Sequence, residues 1–285
     1  MTSQSQSSES YVKAFSPGSA TLFFIPNRYS DALKKGSQGV AICIESGMNT
    51  RIEPSDELEV RFNGIPLDKS IQEEVAKRLR FKGKIYSTSE LPPSSGFGLS
   101  AAAALTTIAA IKGNYTRIGE IYKMAHQIEI KRGTGLGDVQ SQISGGLHIR
   151  IKGGSFPYSV TERILVKDTD LLVLPFKKKV PTGEIISSES IVRKIIKNGK
   201  ASLKEFIKRP TLENGLRIGR KFAIDSDLVS PNSLTILEDL GGIPSSVSLI
   251  GDSIISIYND EAYEILRKYG NPIITKISRT GLTIY

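Results

Sequence analysis

One stretch of this sequence has the composition of an anion-binding loop. Residues 92–104 read Pro92-Pro93-Ser94-Ser95-Gly96-Phe97-Gly98-Leu99-Ser100-Ala101-Ala102-Ala103-Ala104. Glycines let backbone N–H groups approach a phosphate closely and take positive φ. The alanines that follow make a strong helix, whose first amides and dipole favour a negative charge. Ser100 stands where a hydroxyl reaches a phosphate-bound cation. The same residue types also serve a plainer purpose, a tight turn ahead of a core helix. A P-loop is excluded, because no lysine followed by Ser or Thr comes after the second glycine. A dinucleotide fold is disfavoured: a Pro-Pro loop intervenes after the strand, and the acidic residue about 20 positions on, Glu120, falls inside a helical pattern.

A second group lies 25 to 50 residues downstream. Glu129 is a carboxylate oxygen donor of the kind Mg²⁺ takes, usually one or two per site beside phosphates and waters; as an exposed helix residue it would need no such role. His126 is three positions earlier and shares its helix face, although a lone histidine is more often a satisfied surface residue. Asp138 follows the alternating glycines of Gly133-Thr134-Gly135-Leu136-Gly137, a segment able to turn the backbone into a cleft. There it is either a proton acceptor, an electrostatic stabiliser or the N-cap of its own helix. Arg150 alternates away from the apolar residues Leu147, Ile149 and Ile151. It is suited to hold a carboxylate with two hydrogen bonds, or else it lies on a solvated strand face.

The elements that must position these groups follow from periodicity. Strands are expected at residues 11–15 and 22–25, separated by a Pro17-Gly18 break. A hairpin is expected from 39–45 and 49–53 around Ser46-Gly47, then a strand at 58–62 with Asn63-Gly64 as its turn. Helical spacing marks 70–79, 99–112, 117–131 and a short helix from Asp138 to Gln142, with strands at 84–87 and 147–152. Further on come a strand at 170–176, a helix at 187–207, a hairpin of 247–250 and 254–258 across Gly251-Asp252, a helix at 261–269 and a strand at 273–277. This mixture points to α+β units rather than a doubly wound parallel sheet. The Gly153-Gly154-Ser155 stretch and Pro157 suggest a division near 160: a polar, disordered lead-in at 1–10, one domain at 11–160 and a second at 161–285.

Composition narrows the classes. The chain has 285 residues, a net charge of +9, one cysteine and two histidines. That rules out a disulfide framework and a Cys/His zinc site; Cys43, between two isoleucines, reads as a small core residue. No apolar run is long enough for a membrane span, and no signal-peptide pattern opens the chain, so a cytoplasmic protein is expected. Positive charge suits anionic ligands in general. It is spread along the chain, and the densest run, Lys177-Lys178-Lys179, reads as a solvated face.

The 92–104 run resembles the second motif of the GHMP kinase superfamily, and Ser16-Pro17-Gly18 resembles the first. Lys35-Gly36-Ser37-Gln38-Gly39, Gly96-Phe97-Gly98-Leu99-Ser100-Ala101, Ala125-His126-Gln127-Ile128-Glu129 and Gly133-Thr134-Gly135-Leu136-Gly137-Asp138-Val139 narrow the likeness. Together with Gly145-Gly146 and Arg150 they are similar to the archaeal branch that phosphorylates pantoate. Residues 11–152 carry that likeness; afterwards Pro181-Thr182-Gly183 is the best match, and the third motif is thinly represented by 245–251.

The resemblance implies a two-domain GHMP fold, with a ribosomal S5-like N-terminal domain and a ferredoxin-like C-terminal domain. It implies ATP-dependent phosphorylation of (R)-pantoate to 4-phosphopantoate, for coenzyme A synthesis. ATP would lie on Pro93, Ser94, Ser95, Gly96, Phe97, Gly98, Leu99, Ser100 and Ala101. Mg²⁺ would be held by Ser100 and Glu129, with Asp138 as catalytic residue and Ser37, His126, Arg150 and Thr182 binding pantoate. Ser19 stands where many members have Lys or Arg, so lysine-assisted deprotonation from that position is not available. Rival expectations are another small acceptor (mevalonate, shikimate or homoserine) or a basic RNA-binding protein with an S5-like domain. Against the last, no aromatic-interleaved basic stretch offers stacking platforms for bases. Homodimerisation is left open.

Overall fold

The computed structural model describes residues 12–176 and 189–285. The 1–10 lead-in, the lysine run at 177–179 and Pro181-Thr182-Gly183 lie outside the described residues. The spine is an antiparallel pair of long strands, β1 (Lys13–Pro26) and β2 (Ser37–Pro54). Neither breaks where the sequence carries its turn residues. Pro17 pairs with Gly47, and the register shifts between Pro17 and Gly18. A Cβ on Gly47 would stand 2.2 Å from the Ser16 carbonyl oxygen. The Gly/Pro punctuation therefore makes a bulge with close backbone contact, not the expected strand break and hairpin.

Around this spine the remaining strands complete an eight-stranded sheet. β3 (Glu59–Phe62) and β4 (Ile65–Pro66) join through Asn63-Gly64, both at positive φ as a two-residue type I′ turn requires. Helix α1 (Ile71–Leu79), N-capped by Ser70, crosses over to β5 (Gly83–Thr88), parallel to β3. β2 pairs with β5 through its C-terminal half and with β6 (Leu147–Lys152) through its N-terminal half. β7 (Val160–Ile164) edges β6, and the C-terminal β12 (Thr283–Ile284) returns to pair with β1. Against the sheet lie α2 (Leu99–Lys112) and α4 (Asp138–Ser144), and α3 (Ile118–Arg132) packs on these two helices. Helix α2 is apolar almost all round, and nearly all of it is buried.

The rest of the chain forms a second, four-stranded antiparallel sheet in the order β11-β8-β10-β9. Its strands are β8 (Asp170–Leu174), β9 (Ser245–Ser248), β10 (Ser253–Ile257) and β11 (Ile273–Lys276). Helix α6 (Leu212–Asp225) bridges β1 to it, and α5 (Glu189–Lys208) packs on β1 and α6; α7 (Pro231–Asp239) and α8 (Asp260–Arg267) complete the unit. Helices α6 and α7, which are not among the helices expected from periodicity, carry ordinary N-caps, Thr211 and Ser230. One hydrophobic core runs through both sheets. Among the described residues no helix is long and apolar enough to cross a membrane.

One face of the spine positions the site. Opposed residues of an antiparallel pair project to the same side. On that side β2 presents the small Ser37, Gly39, Ala41 and Cys43. They are flanked by Ser19, Thr21 and Phe24 on β1 and by His148 and Arg150 on β6. Helix α4 closes over this face. Arg150 is therefore 1% exposed and His148 fully buried. The polar side of β6 faces the protein interior rather than solvent, and only its last residues, Ile151 and Lys152, are exposed.

Candidate active site

A cleft of about 660 Å³ opens between α2, the 133–138 loop and the sheet face, well inside the size range of small-molecule sites. Residues 93–100 line one end. Ser94, Gly96 and Gly98 all have positive φ, so the backbone coils there before α2 begins. Gly98 is the N-cap and supplies no side chain to the first amides of α2. The free N–H groups and the helix dipole therefore point at the cleft, an anion site made of backbone alone. Of the residues expected to hold ATP only Ala101 is away from the cleft wall, buried in the core.

The loop's shape is held from the second sheet. Ser248 Oγ donates to the Gly96 carbonyl (2.7 Å) and Ser253 Oγ to that of Ser95 (2.7 Å). A Cβ on Gly251 would fall 2.1 Å from the Gly96 nitrogen. The poorly matching segment at 245–251 thus props the phosphate loop by direct contact.

Ser100, in the first turn of α2, donates to Glu129 Oε1 at 2.5 Å, and Thr134 Oγ1 donates to the same oxygen at 2.6 Å. Glu129 is 2% exposed. Burial pushes its carboxyl up to about 7, the nearby Asp138 adds to that, and the two hydroxyls oppose it. A buried carboxylate beside a hydroxyl at an anion site is an all-oxygen donor pair that fits a hard cation. Among the described residues no group of three or more His, Cys, Asp or Glu side chains is placed to hold a metal ion, so phosphates and water would complete such a coordination shell.

The 133–138 loop brings the second carboxylate in. A Cβ on Gly135 would lie 2.7 Å from Glu129 Oε2 and 3.4 Å from Asp138 Oδ2. The two acids thus converge on one loop. Asp138 opens α4 without capping it, since the N-cap is Gly137 and no side-chain cap forms. Burial raises the Asp138 carboxyl; the Arg150 guanidinium, acting through space, lowers it, as do the hydroxyls of Ser19 and Thr21. Ser19 Oγ is buried and closes no hydrogen bond among the described residues. It lies near enough to favour the charged form of Asp138 without bonding geometry. Arg150 donates from Nη1 to Ser141 Oγ (2.8 Å) and from Nε to the Ser37 carbonyl (3.3 Å), using two of its five donors. Gly137 permits this, because a Cβ there would stand 2.7 Å from Arg150 Nε.

Ser37 lines the cleft beside Arg150, as expected, and Thr182 lies outside the described residues. His126 is not on the cleft wall. It is buried, and its Nε2 faces the carbonyls of Lys35 (2.8 Å) and Ala32 (3.1 Å), clamping the segment that leads into Ser37. Burial lowers its pKa, so a neutral imidazole with Nε2 protonated fits this place. Thr21, Ser141 and Ser248 are not among the site residues the sequence leads one to expect. Thr21 and Ser141 sit among residues of ordinary strand or helix type, and nothing local marks them; Ser248 falls within the thinly matching third-motif segment at 245–251.

A phosphate loop before an uncapped helix, carried on this two-sheet α+β frame, is the architecture of the GHMP kinases. Residues 69–146 match the GHMP kinases N terminal domain. The chain is 33% identical to the pantoate kinase of Methanocaldococcus jannaschii, over 92% of this chain and 99% of that one. It is 31% identical to the pantoate kinase of Thermococcus kodakarensis, over 89% of each. The chain belongs to the pantoate kinase family. A solved structure described as a phosphotransferase related to the CoA biosynthesis pathway superposes with a TM-score of 0.83 at 28% identity, covering 96% of this chain and 98% of that one. Mevalonate diphosphate decarboxylase from Staphylococcus aureus, at a TM-score of 0.70 and 15% identity over 96% and 98%, shares the fold.

Proposed function

We propose that this protein transfers the γ-phosphoryl group of ATP to the 4-hydroxyl of pantoate, giving 4-phosphopantoate for coenzyme A synthesis. The observation that carries this reading is the single cleft in which a backbone anion site, the Ser100/Glu129 oxygen pair, Asp138 and the buried Arg150 converge, in a chain of the pantoate kinase family. The amides at the start of α2 receive the phosphates. Ser100 and Glu129 would hold Mg²⁺, which would supply charge neutralisation to the phosphates. Arg150, beside Ser37, holds the pantoate carboxylate and so aims the far hydroxyl. Asp138 orients that hydroxyl and takes its proton as the new O–P bond forms and the bond to ADP breaks. His126 supports the acceptor end from behind, through the 32–35 segment that it clamps.

The test is ADP release with pantoate, mevalonate, shikimate and homoserine side by side, each with ATP and Mg²⁺. Pantoate should give the highest kcat/KM. Faster turnover of mevalonate or shikimate would overturn the acceptor and leave the kinase standing.

A further inference from the structure

The acceptor end of the cleft has an apolar wall as well as charged anchors. Phe24 on β1 pairs with Gly39 on β2, and Gly39 pairs with Arg150 on β6. Phe24 and Arg150 therefore project from the same face of the sheet, one strand apart, across a rung with no side chain. Both line the cleft. Phe24 is 4% exposed, and its ring is backed by Phe222 of α6 at a centroid distance of 6.1 Å. Leu136, half-buried between Gly135 and Gly137 and two residues before Asp138, lines the same cleft. Two apolar residues thus line the cleft that also holds the Arg150 guanidinium and the Asp138 carboxylate.

We propose that Phe24 and Leu136 are the specificity-determining residues that recognise the quaternary, dimethylated carbon of the acceptor. The inference rests on the pantoate reading above. Pantoate carries its carboxylate at one end, its reacting hydroxyl at the other and two methyl groups between them. An acceptor gripped only by its charged and hydroxyl ends would be indistinguishable from its counterpart without methyls. Apolar contact with the middle separates the two, because each methylene-sized group in a fitted pocket is worth about 10- to 200-fold in kcat/KM. A wall backed by a second aromatic ring does not shift to fill the space that missing methyls would leave, so the loss is felt in full.

The experiment compares kcat/KM for pantoate and for 2,4-dihydroxybutanoate in the full-length protein, with ATP affinity measured by calorimetry as the folding control. Wild type should prefer pantoate by about 100-fold or more. Leu136→Ala and Phe24→Leu should each cut that preference by about tenfold while ATP still binds. Phe24→Ala should cut it further if the packing against Phe222 survives; Leu136→Ala and Phe24→Leu carry the test if it does not. A preference unchanged in Leu136→Ala and Phe24→Leu, including equal losses on both acceptors, overturns the inference and leaves pantoate as substrate. A wild type with no preference for the dimethylated acceptor overturns it too. A wild type that binds ATP but phosphorylates neither acid overturns the proposed function, and this inference with it.

Discussion

The two ends of the cleft are built from different materials. The phosphate end is almost all backbone: three residues at positive φ, the open amides of α2 and a supporting glycine across the gap. The acceptor end is almost all side chain, and its groups come from β1, β2, β6 and the loop before α4. A backbone site recognises charge and shape common to every nucleoside triphosphate, so a contiguous glycine-rich motif suffices for it. A side-chain site recognises one particular acid, and needs residues that are close only after folding. Damage at one end should accordingly be read in the kinetics of one substrate.

Asp138→Asn is the harshest test of the acceptor end. Loss of a proton-accepting or charge-stabilising partner typically costs about 100-fold or more in kcat, and ATP affinity should hardly move. Steady-state kinetics with calorimetric ATP binding measure both; near-normal kcat would remove Asp138 from the reacting groups. Arg150→Ala comes next. It should raise KM for pantoate by roughly 10- to 100-fold, matching the worth of a hydrogen bond to a charged group. Lysine at 150 should recover part of that, since a point charge replaces a two-pronged donor. ATP binding lost with pantoate binding intact would break the assignment of ends.

Gly251→Ala probes the opposite end with no change of charge. Its methyl group would meet the Gly96 nitrogen at 2.1 Å, backbone against backbone, so the phosphate loop has to shift. KM for ATP should rise several-fold and that for pantoate should stay; equal changes in both would show the ends to be coupled. The mildest effect is on stability. Glu129 is held at about 7 in the fold, above the usual carboxylate value near 4.3. A raised folded-state pKa means stability that is complete below the unfolded value and is lost as pH rises through the folded one. Without added Mg²⁺, thermal midpoints should therefore fall between pH about 4.5 and about 7. Glu129→Gln should flatten that slope, melt above wild type at pH 8 and lose the response of activity to Mg²⁺. A wild-type midpoint independent of pH over this range would contradict the assigned burial cost.

Much of the frame follows from local preferences of the chain. Helix α2 spans the residues 99–112 that its alanine-rich pattern predicts, because helix propensity is local. The same holds for the Asn63-Gly64 turn and for the order of the glycine loop, Glu129 and Asp138 along the chain. Tertiary structure decided what the punctuation at Pro17-Gly18 and Ser46-Gly47 means. Two strands facing each other turn one apparent break and one apparent hairpin into a bulge. It also decided the surroundings of Arg150, whose polar alternation is the same whether a strand faces water or a buried cleft. His126 shares a helix face with Glu129, yet packs against the 32–35 segment instead of the cleft. Spacing on a helix sets which residues are neighbours; only the packing of other elements around that helix sets what they touch. The small stripe Ser37, Gly39, Ala41 and Cys43 has no meaning until Phe24 and Arg150 stand on either side of Gly39. Those pairings join residues far apart in sequence, and no local preference of the chain encodes them.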